Sequence, residues 1–248
     1  MIRVAAIGDV HYDRFCLNRA QSPFETLAGR SDLLLIAGDL TQAGTLEEAQ
    51  ALASHLRGIS IPIVSVLGNH DFHSDQQNQI TETLRSVGVV MLERETVTLR
   101  IRGESVGIVG LKGFGGGFSG ACITEFGEPE VKSFARHGRL QAEALRSGLK
   151  SLKADYRFVL THFSPVEGTL LGERREVYPF LGSYMLGEAI DEFGADAAFH
   201  GHAHHGTERG ETPGGVPVRN VAQPVIHHAY KIYNFEAGTS RLSNSKRS

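Results

Sequence analysis

A chain of 248 residues, 41% of them hydrophobic, can enclose one sizeable core, and residues 1–238 are expected to form a single domain followed by a frayed tail, 239–248, rich in Ser, Lys and Arg. Its formal charge of −3 offers no basic field for nucleic acid or an acidic membrane. The two cysteines, Cys16 and Cys122, lie far apart and outside any CxxC spacing, and so indicate neither a disulfide framework nor a thiolate zinc site. The opening run MIRVAAIGDV is too short for a signal peptide, and no apolar stretch approaches the roughly 18 residues of a membrane span, so a cytoplasmic protein is expected.

Residues 2–7 form an apolar, β-branched run ending in Gly8-Asp9, which reads as a buried strand entering a loop. Residues 33–37 repeat the design before Gly38-Asp39, and residues 61–67 repeat it before Gly68-Asn69-His70-Asp71. Between the last two runs, 45–57 reads as a helix, with Thr45 as N-cap, Glu48 three residues on and Gly58 at the C-terminal stop, which makes a βαβ crossover. A second helix is expected over 74–86, then strands at 89–91, 96–101 and 105–109, the last two joined as a hairpin around Arg102-Gly103-Glu104.

Residues 112–120 hold Gly113, Gly115, Gly116, Gly117 and Gly120, a density that reads as a flexible loop or lid. The loop lacks the Lys-Ser/Thr ending of a phosphate cradle. A long helix is expected over 129–152, with Gly138 and Gly148 as weak points, then a strand at 157–160 running into Thr161-His162. Residues 163–183, with Pro165, Gly168, Gly172, Pro179 and Gly182, read as a long irregular loop of the kind that serves an active site, and Arg174, Arg175, Tyr178 and Tyr184 could face a substrate from it. A helix over 184–193 leads to a strand at 196–199 that enters His200-Gly201-His202-Ala203-His204-His205, and strands at 216–221 and 229–235 close the domain.

Twelve histidines are the compositional oddity, because imidazole is the commonest side-chain metal ligand. Ligands at the C-terminal ends of neighbouring strands of an α/β sheet converge on one crevice. Five such ends here carry Asp9-x-His11, Asp39, Asn69-His70-Asp71, His162 and His202-x-His204. That mixture of carboxylate, amide oxygen and imidazole suits Zn, Mn or Fe rather than Ca or Mg, and the count is enough for two ions that share one carboxylate. His73, His200 and His205 adjoin the motifs but are assigned outside the ligand set, and His55 and His137 on the helices are expected to be solvated or capping.

The ordered set DxH, GD, GNHD, H and GHxH resembles the calcineurin-like metallophosphoesterase superfamily, and it spans most of the chain, from Asp9 to His204. The resemblance implies an α/β fold, a four-layer αββα sandwich of two mixed β-sheets flanked by helices, with a dinuclear metal site at the strand ends. It implies one ion (Mn, Zn or Fe, divalent or trivalent) on Asp9, His11, Asp39 and His204, and a second on Asp39, Asn69, His162 and His202, with Asp39 as the bridge. His70 would sit beside the phosphate without binding metal, and Asp71 would orient its ring. Many members carry a further acid or arginine after GD, whereas this chain reads Gly38-Asp39-Leu40-Thr41-Gln42. That departure leaves open which side chains grip the outer phosphate oxygens.

The chemistry implied is hydrolysis of a small-molecule or nucleotide phosphate ester, with two cations roughly 3.5 to 4 Å apart neutralising the ester and acidifying a water. Diesters are placed ahead of monoesters because GNHD and the compact domain look similar to the bacterial cyclic-nucleotide phosphodiesterase-like branch. A phosphomonoesterase, including a protein phosphatase, is the alternative within the class. A non-catalytic metal-binding scaffold for a protein partner is the alternative outside it.

Overall fold

The computed structural model describes residues 1–18 and 22–236, so the expected tail 239–248 lies outside the described residues. Its elements run β1 (Ile2–Ile7), β2 (Leu33–Ala37), α1 (Leu46–Leu56), β3 (Ile63–Val66), α2 (Gln77–Arg85), β4 (Val89–Met91), β5 (Glu95–Ile101), β6 (Glu104–Leu111), β7 (Gly117–Phe118) and β8 (Ala121–Cys122). They continue with α3 (Pro129–Ser151), β9 (Tyr156–Thr161), α4 (Tyr178–Leu181), α5 (Tyr184–Phe193), β10 (Ala197–His200), β11 (Arg209–Glu211), β12 (Pro217–Asn220), α6 (Gln223–Ile226) and β13 (Lys231–Phe235).

One sheet has the order β13-β1-β2-β3-β4, parallel except for β13. The other has the order β11-β12-β10-β9-β6-β5, parallel through its four central strands and antiparallel at both edges. Because successive strand residues point to opposite faces, each central strand feeds two cores. Val4, Ala6, Leu33, Leu35, Val64 and Val66 meet Val106, Ile108, Phe158, Leu160 and Phe199 between the sheets. Ala5, Ile7, Leu34, Ile36 and Ile63 pack outward on Leu52, Leu56, Ile80 and Leu84 of α1 and α2. Val109, Leu111, Val159 and Ala198 pack outward on Ala142, Leu145 and Leu149 of α3 and on Leu186 and Ile190 of α5. The result is the expected αββα sandwich.

The local signals behave as their chemistry dictates. Thr45 accepts from the Glu48 backbone N–H (3.4 Å) and Glu48 accepts in return from the Thr45 N–H (3.2 Å), closing the capping box of α1. Arg102 and Gly103 are both left-handed (φ 53° and 87°), the geometry that a tight hairpin between β5 and β6 demands. Among the described residues no helix is long and apolar enough to cross a membrane.

Two glycine-rich readings are overturned. Residues 113–118 are packed rather than free: the Gly116 and Gly117 N–H groups donate to the Pro179 and Gly182 carbonyls (both 2.8 Å). A methyl group on Gly115 would run into the Pro179 carbonyl. Nor are Gly138 and Gly148 weak points, since α3 is continuous and uses them to lie against the Gly115 carbonyl and against Val109 and Thr96. Glycine density here marks close approach of backbones instead of mobility. The expected loop over 163–183 contains two 3-10 turns and α4, and the short β7, β8, β11 and α6 had no clear periodic signal. His55 is buried with Nδ1 2.8 Å from the Tyr12 hydroxyl, neither solvated nor capping.

Candidate metal centre

The loops that follow β1, β2 and β3 in one sheet meet those that follow β9 and β10 in the other. Within one sheet they are joined by backbone hydrogen bonds from Asp9 to Gly38 (3.0 Å) and from His11 to Asp39 (3.0 Å), within the other from Gly201 to His162 (3.2 Å), and between the sheets the His202 N–H donates to the Asp9 carboxylate (3.0 Å). Two glycines make the approach possible. A side chain on Gly68 would overlap the Asp39 carboxylate, and one on Gly201 would overlap that of Asp9. Asp9, His11, Asp39 and His202 all hold left-handed backbone (φ 57°, 42°, 50° and 69°). Asp and His tolerate this region better than most residues, yet four such positions in one crevice store strain that loop geometry alone does not require.

The side chains fall into two sets. Asp9, His11, Asp39 and His204 each bring a ligand-type atom to within 4.8 Å of the others, and Asp39, His162 and His202 do the same. Asn69 joins the second set, its Oδ1 lying 2.8 Å from His162 Nε2. Asp39 belongs to both, with Oδ1 3.3 Å from His162 Nε2 and Oδ2 3.8 Å from His11 Nε2.

The tautomers follow from the carbonyls behind the rings, which can only accept. His162 Nδ1–H donates to the Ala37 carbonyl (2.8 Å) and His202 Nε2–H to the Phe180 carbonyl (3.0 Å). His162 Nε2 therefore meets Asn69 Oδ1 and Asp39 Oδ1 as a lone pair facing oxygen lone pairs, with no proton among the three atoms. His11 Nε2 is likewise buried without a hydrogen-bond partner among the described residues. Acceptors turned toward one another in a buried crevice are costly alone and suit a bound cation, so the donor set fits a pair of metal ions.

Electrostatics point the same way. Burial raises Asp9 to about 6, and the nearby Asp39 adds to the effect. Burial lowers His11 to about 4 and His202 to about 3, and pushes His162 well below its usual range, so these imidazoles are neutral and ready to ligate at physiological pH. His204 is shifted upward, chiefly by its 2.8 Å hydrogen bond to Asp9 Oδ1.

His70 lies at the mouth, partly exposed, with Nε2 4.0 Å from Asp39 Oδ2. The expected Asp71–His70 pairing is not formed. His70 Nδ1–H donates instead to the Gln42 carbonyl (2.7 Å). Asp71 is fully buried and accepts from the backbone N–H groups of Gly68 (2.7 Å), Thr41 (2.9 Å) and Leu40 (3.2 Å) and from the Thr41 hydroxyl (2.6 Å). It ties the β2 loop to the β3 loop, and burial raises it to about 6.

His73 and His205 are exposed, and His200 is a buried structural group 2.8 Å from Thr169 Oγ1. Tyr178 is turned inward to the Leu170 carbonyl (3.2 Å), Arg175 pairs with Glu167 (3.7 Å), and Arg174 and Tyr184 are exposed. The carbonyls of Gln42 and Phe180 could not be found from sequence, because every residue has a carbonyl. Lys112 directly follows β6, which runs to Leu111 rather than the expected 109, so the sequence reading places it in the glycine-rich segment instead of at a strand end.

The calcineurin-like phosphoesterase family pattern matches residues 2–206. Among solved structures, the fold is similar to phosphopantetheinyl hydrolase of Mycobacterium tuberculosis (TM-score 0.67, 16% identity, 93% of this chain and 95% of that one). It is also similar to the protein TT1561 of Thermus thermophilus (TM-score 0.57, 18% identity, 88% of each chain). At such identities the likeness is one of fold. Among curated proteins no relative matches the chain.

Proposed function

This chain belongs to the calcineurin-like phosphoesterase family, and from that premise we propose that it hydrolyses phosphate esters with two metal ions, diesters in preference to monoesters. The observation that carries the reading is the sharing of Asp39 between two converging ligand sets. Asp9, His11, Asp39 and His204 would hold one ion, and Asp39, Asn69, His162 and His202 the other. Bound there, Mn, Zn or Fe would supply the positive charge that an anionic ester needs and would acidify a water.

The chain's own groups do the rest. The Ala37 and Phe180 carbonyls fix the His162 and His202 rings, and the left-handed backbone at Asp9, His11, Asp39 and His202 aims their side chains inward. With Nδ1–H held by the Gln42 carbonyl, His70 turns Nε2 toward the site, where the doubly protonated ring can hand a proton to the departing alkoxide. The preference for diesters is supported by the similarity of the GNHD segment to the phosphodiesterase-like branch. The complete ligand set argues against a scaffold without catalysis.

The test is hydrolysis of bis(p-nitrophenyl) phosphate and p-nitrophenyl phosphate by metal-stripped protein to which Mn, Zn, Mg or nothing is restored. Metal-dependent cleavage favouring the diester is expected. A preference for the monoester would reverse the order of the two ester classes, and no cleavage of either with both sites filled would favour the scaffold.

A further inference from the structure

Lys112 follows β6, and its carbonyl accepts the backbone N–H groups of His162 (2.9 Å) and Phe163 (3.1 Å), which ties it to the loop that carries one member of the second ligand set. Its side chain is half-buried among rings: Nζ lies 4.8 Å from the centre of Phe72, 5.2 Å from that of Phe114 and 5.5 Å from that of Phe163. Two of those rings locate the ammonium. Phe72 stands three residues beyond Asn69 in the β3 loop, and Phe163 stands one beyond His162, with its ring 4.4 Å from that of His202. The charge is thus bracketed by the chain segments that bear Asn69, His162 and His202.

Among the described residues no carboxylate oxygen lies within 4.0 Å of Nζ. The acid closest in the hydrogen-bond pattern, Glu93, accepts from the Lys112 backbone N–H (3.3 Å) and pairs with Arg94 (3.7 Å). A half-buried ammonium lodged among aromatic faces, which feels Glu93 and Asp39 through space without a hydrogen bond to either, keeps its three N–H donors for another acceptor. Beside a phosphate site that acceptor is an oxyanion, and a lysine serves it as a point charge.

We propose that Lys112 binds a non-bridging phosphate oxygen of the substrate on the side of Asn69, His162 and His202, and so takes the role left open by the Leu40-Thr41-Gln42 sequence after Asp39. The proposal rests on the phosphoesterase reading. Phe72, Phe114 and Phe163 hold the ammonium in place, so the contact is built before substrate arrives. The same donor serves monoesters and diesters, since both present non-bridging oxygens.

The experiment is calorimetric titration of the Mn-loaded full chain with inorganic phosphate, for wild type, Lys112→Met and Lys112→Arg, with metal content and far-ultraviolet circular dichroism measured on each. Methionine retains the apolar stem, so the cage stays filled. Loss of one charged hydrogen bond is expected to weaken phosphate binding about 10- to 100-fold in Lys112→Met at unchanged metal content. The KM for either nitrophenyl ester should rise more than kcat falls, and Lys112→Arg should recover part of the binding. Phosphate affinity within twofold of wild type in Lys112→Met would overturn the proposal, as would loss of metal from that variant or equal weakening by arginine. A wild-type protein that neither binds phosphate nor cleaves esters with its metals in place would overturn the phosphoesterase reading, and the role of Lys112 with it.

Discussion

Replacing Asp71 by alanine should unfold the site rather than merely slow it. The substitution strands three buried N–H donors, those of Gly68, Leu40 and Thr41, each costing about 1–3 kcal/mol. Against this stands relief of a carboxylate that burial has moved from 3.8 to about 6, a shift of roughly two pH units or about 3 kcal/mol at neutral pH. The net loss is therefore about 3 kcal/mol, before any contribution from the small cavity. Urea unfolding of metal-free wild type and Asp71→Ala, followed by circular dichroism, measures it, and metal analysis of the loaded proteins should show ions lost along with stability. If Asp71→Ala stays within about 1 kcal/mol of wild type and fills both sites but turns over slowly, the carboxylate belongs to the chemistry and the hydrogen-bonding account is wrong.

Three further outcomes follow from the geometry. His70→Ala should keep both metals and lose about 10²- to 10⁴-fold in kcat, and an unchanged kcat would remove His70 from the mechanism. Asp9 in the metal-free protein is raised to about 6, so protons compete for it increasingly as pH falls through that value. The ion on Asp9, His11, Asp39 and His204 should accordingly leave first on acidification, ahead of the one held with His162 and His202, and a chelator titration read by metal release against pH should show two steps in that order. Gly138→Ala, which in an exposed helix would stabilise by about 1 kcal/mol, should destabilise here, because the new methyl meets the Gly115 carbonyl; thermal unfolding gives the sign.

Most of the candidate ligands were legible as a cluster because they share a sign: an apolar run, a glycine, then a carboxylate, amide or imidazole. Asp9, Asp39, Asn69 and His202 announce themselves this way, His162 ends its apolar run after Thr161 with no glycine, and parallel strands bring such ends together whatever their separation in sequence. What stayed hidden depends on partners rather than on the residue itself. Asp71 looks like an orienting acid beside His70 until its donors are traced to Leu40 and Thr41, some thirty positions earlier. Gly115 and Gly138 use one property, the missing side chain, that reads in sequence as freedom and acts in the fold as contact. The orientation of His70 and His202 comes from main-chain carbonyls that have no letter of their own.

Neither ligand set is complete within one sheet. Asp9, His11 and Asp39 belong to loops of the first sheet and need His204 from beyond β10, while Asp39 and Asn69 need His162 and His202 from beyond β9 and β10. A chain with only one sheet assembled offers a partial chelate, so firm capture of either ion must wait until the two halves have docked. An ion held by either set would be a clasp across the sandwich, which unfolding would have to break before the sheets could part. On the proposed reading, metal uptake would certify a finished fold, and metal starvation would leave molecules assembled but unfastened.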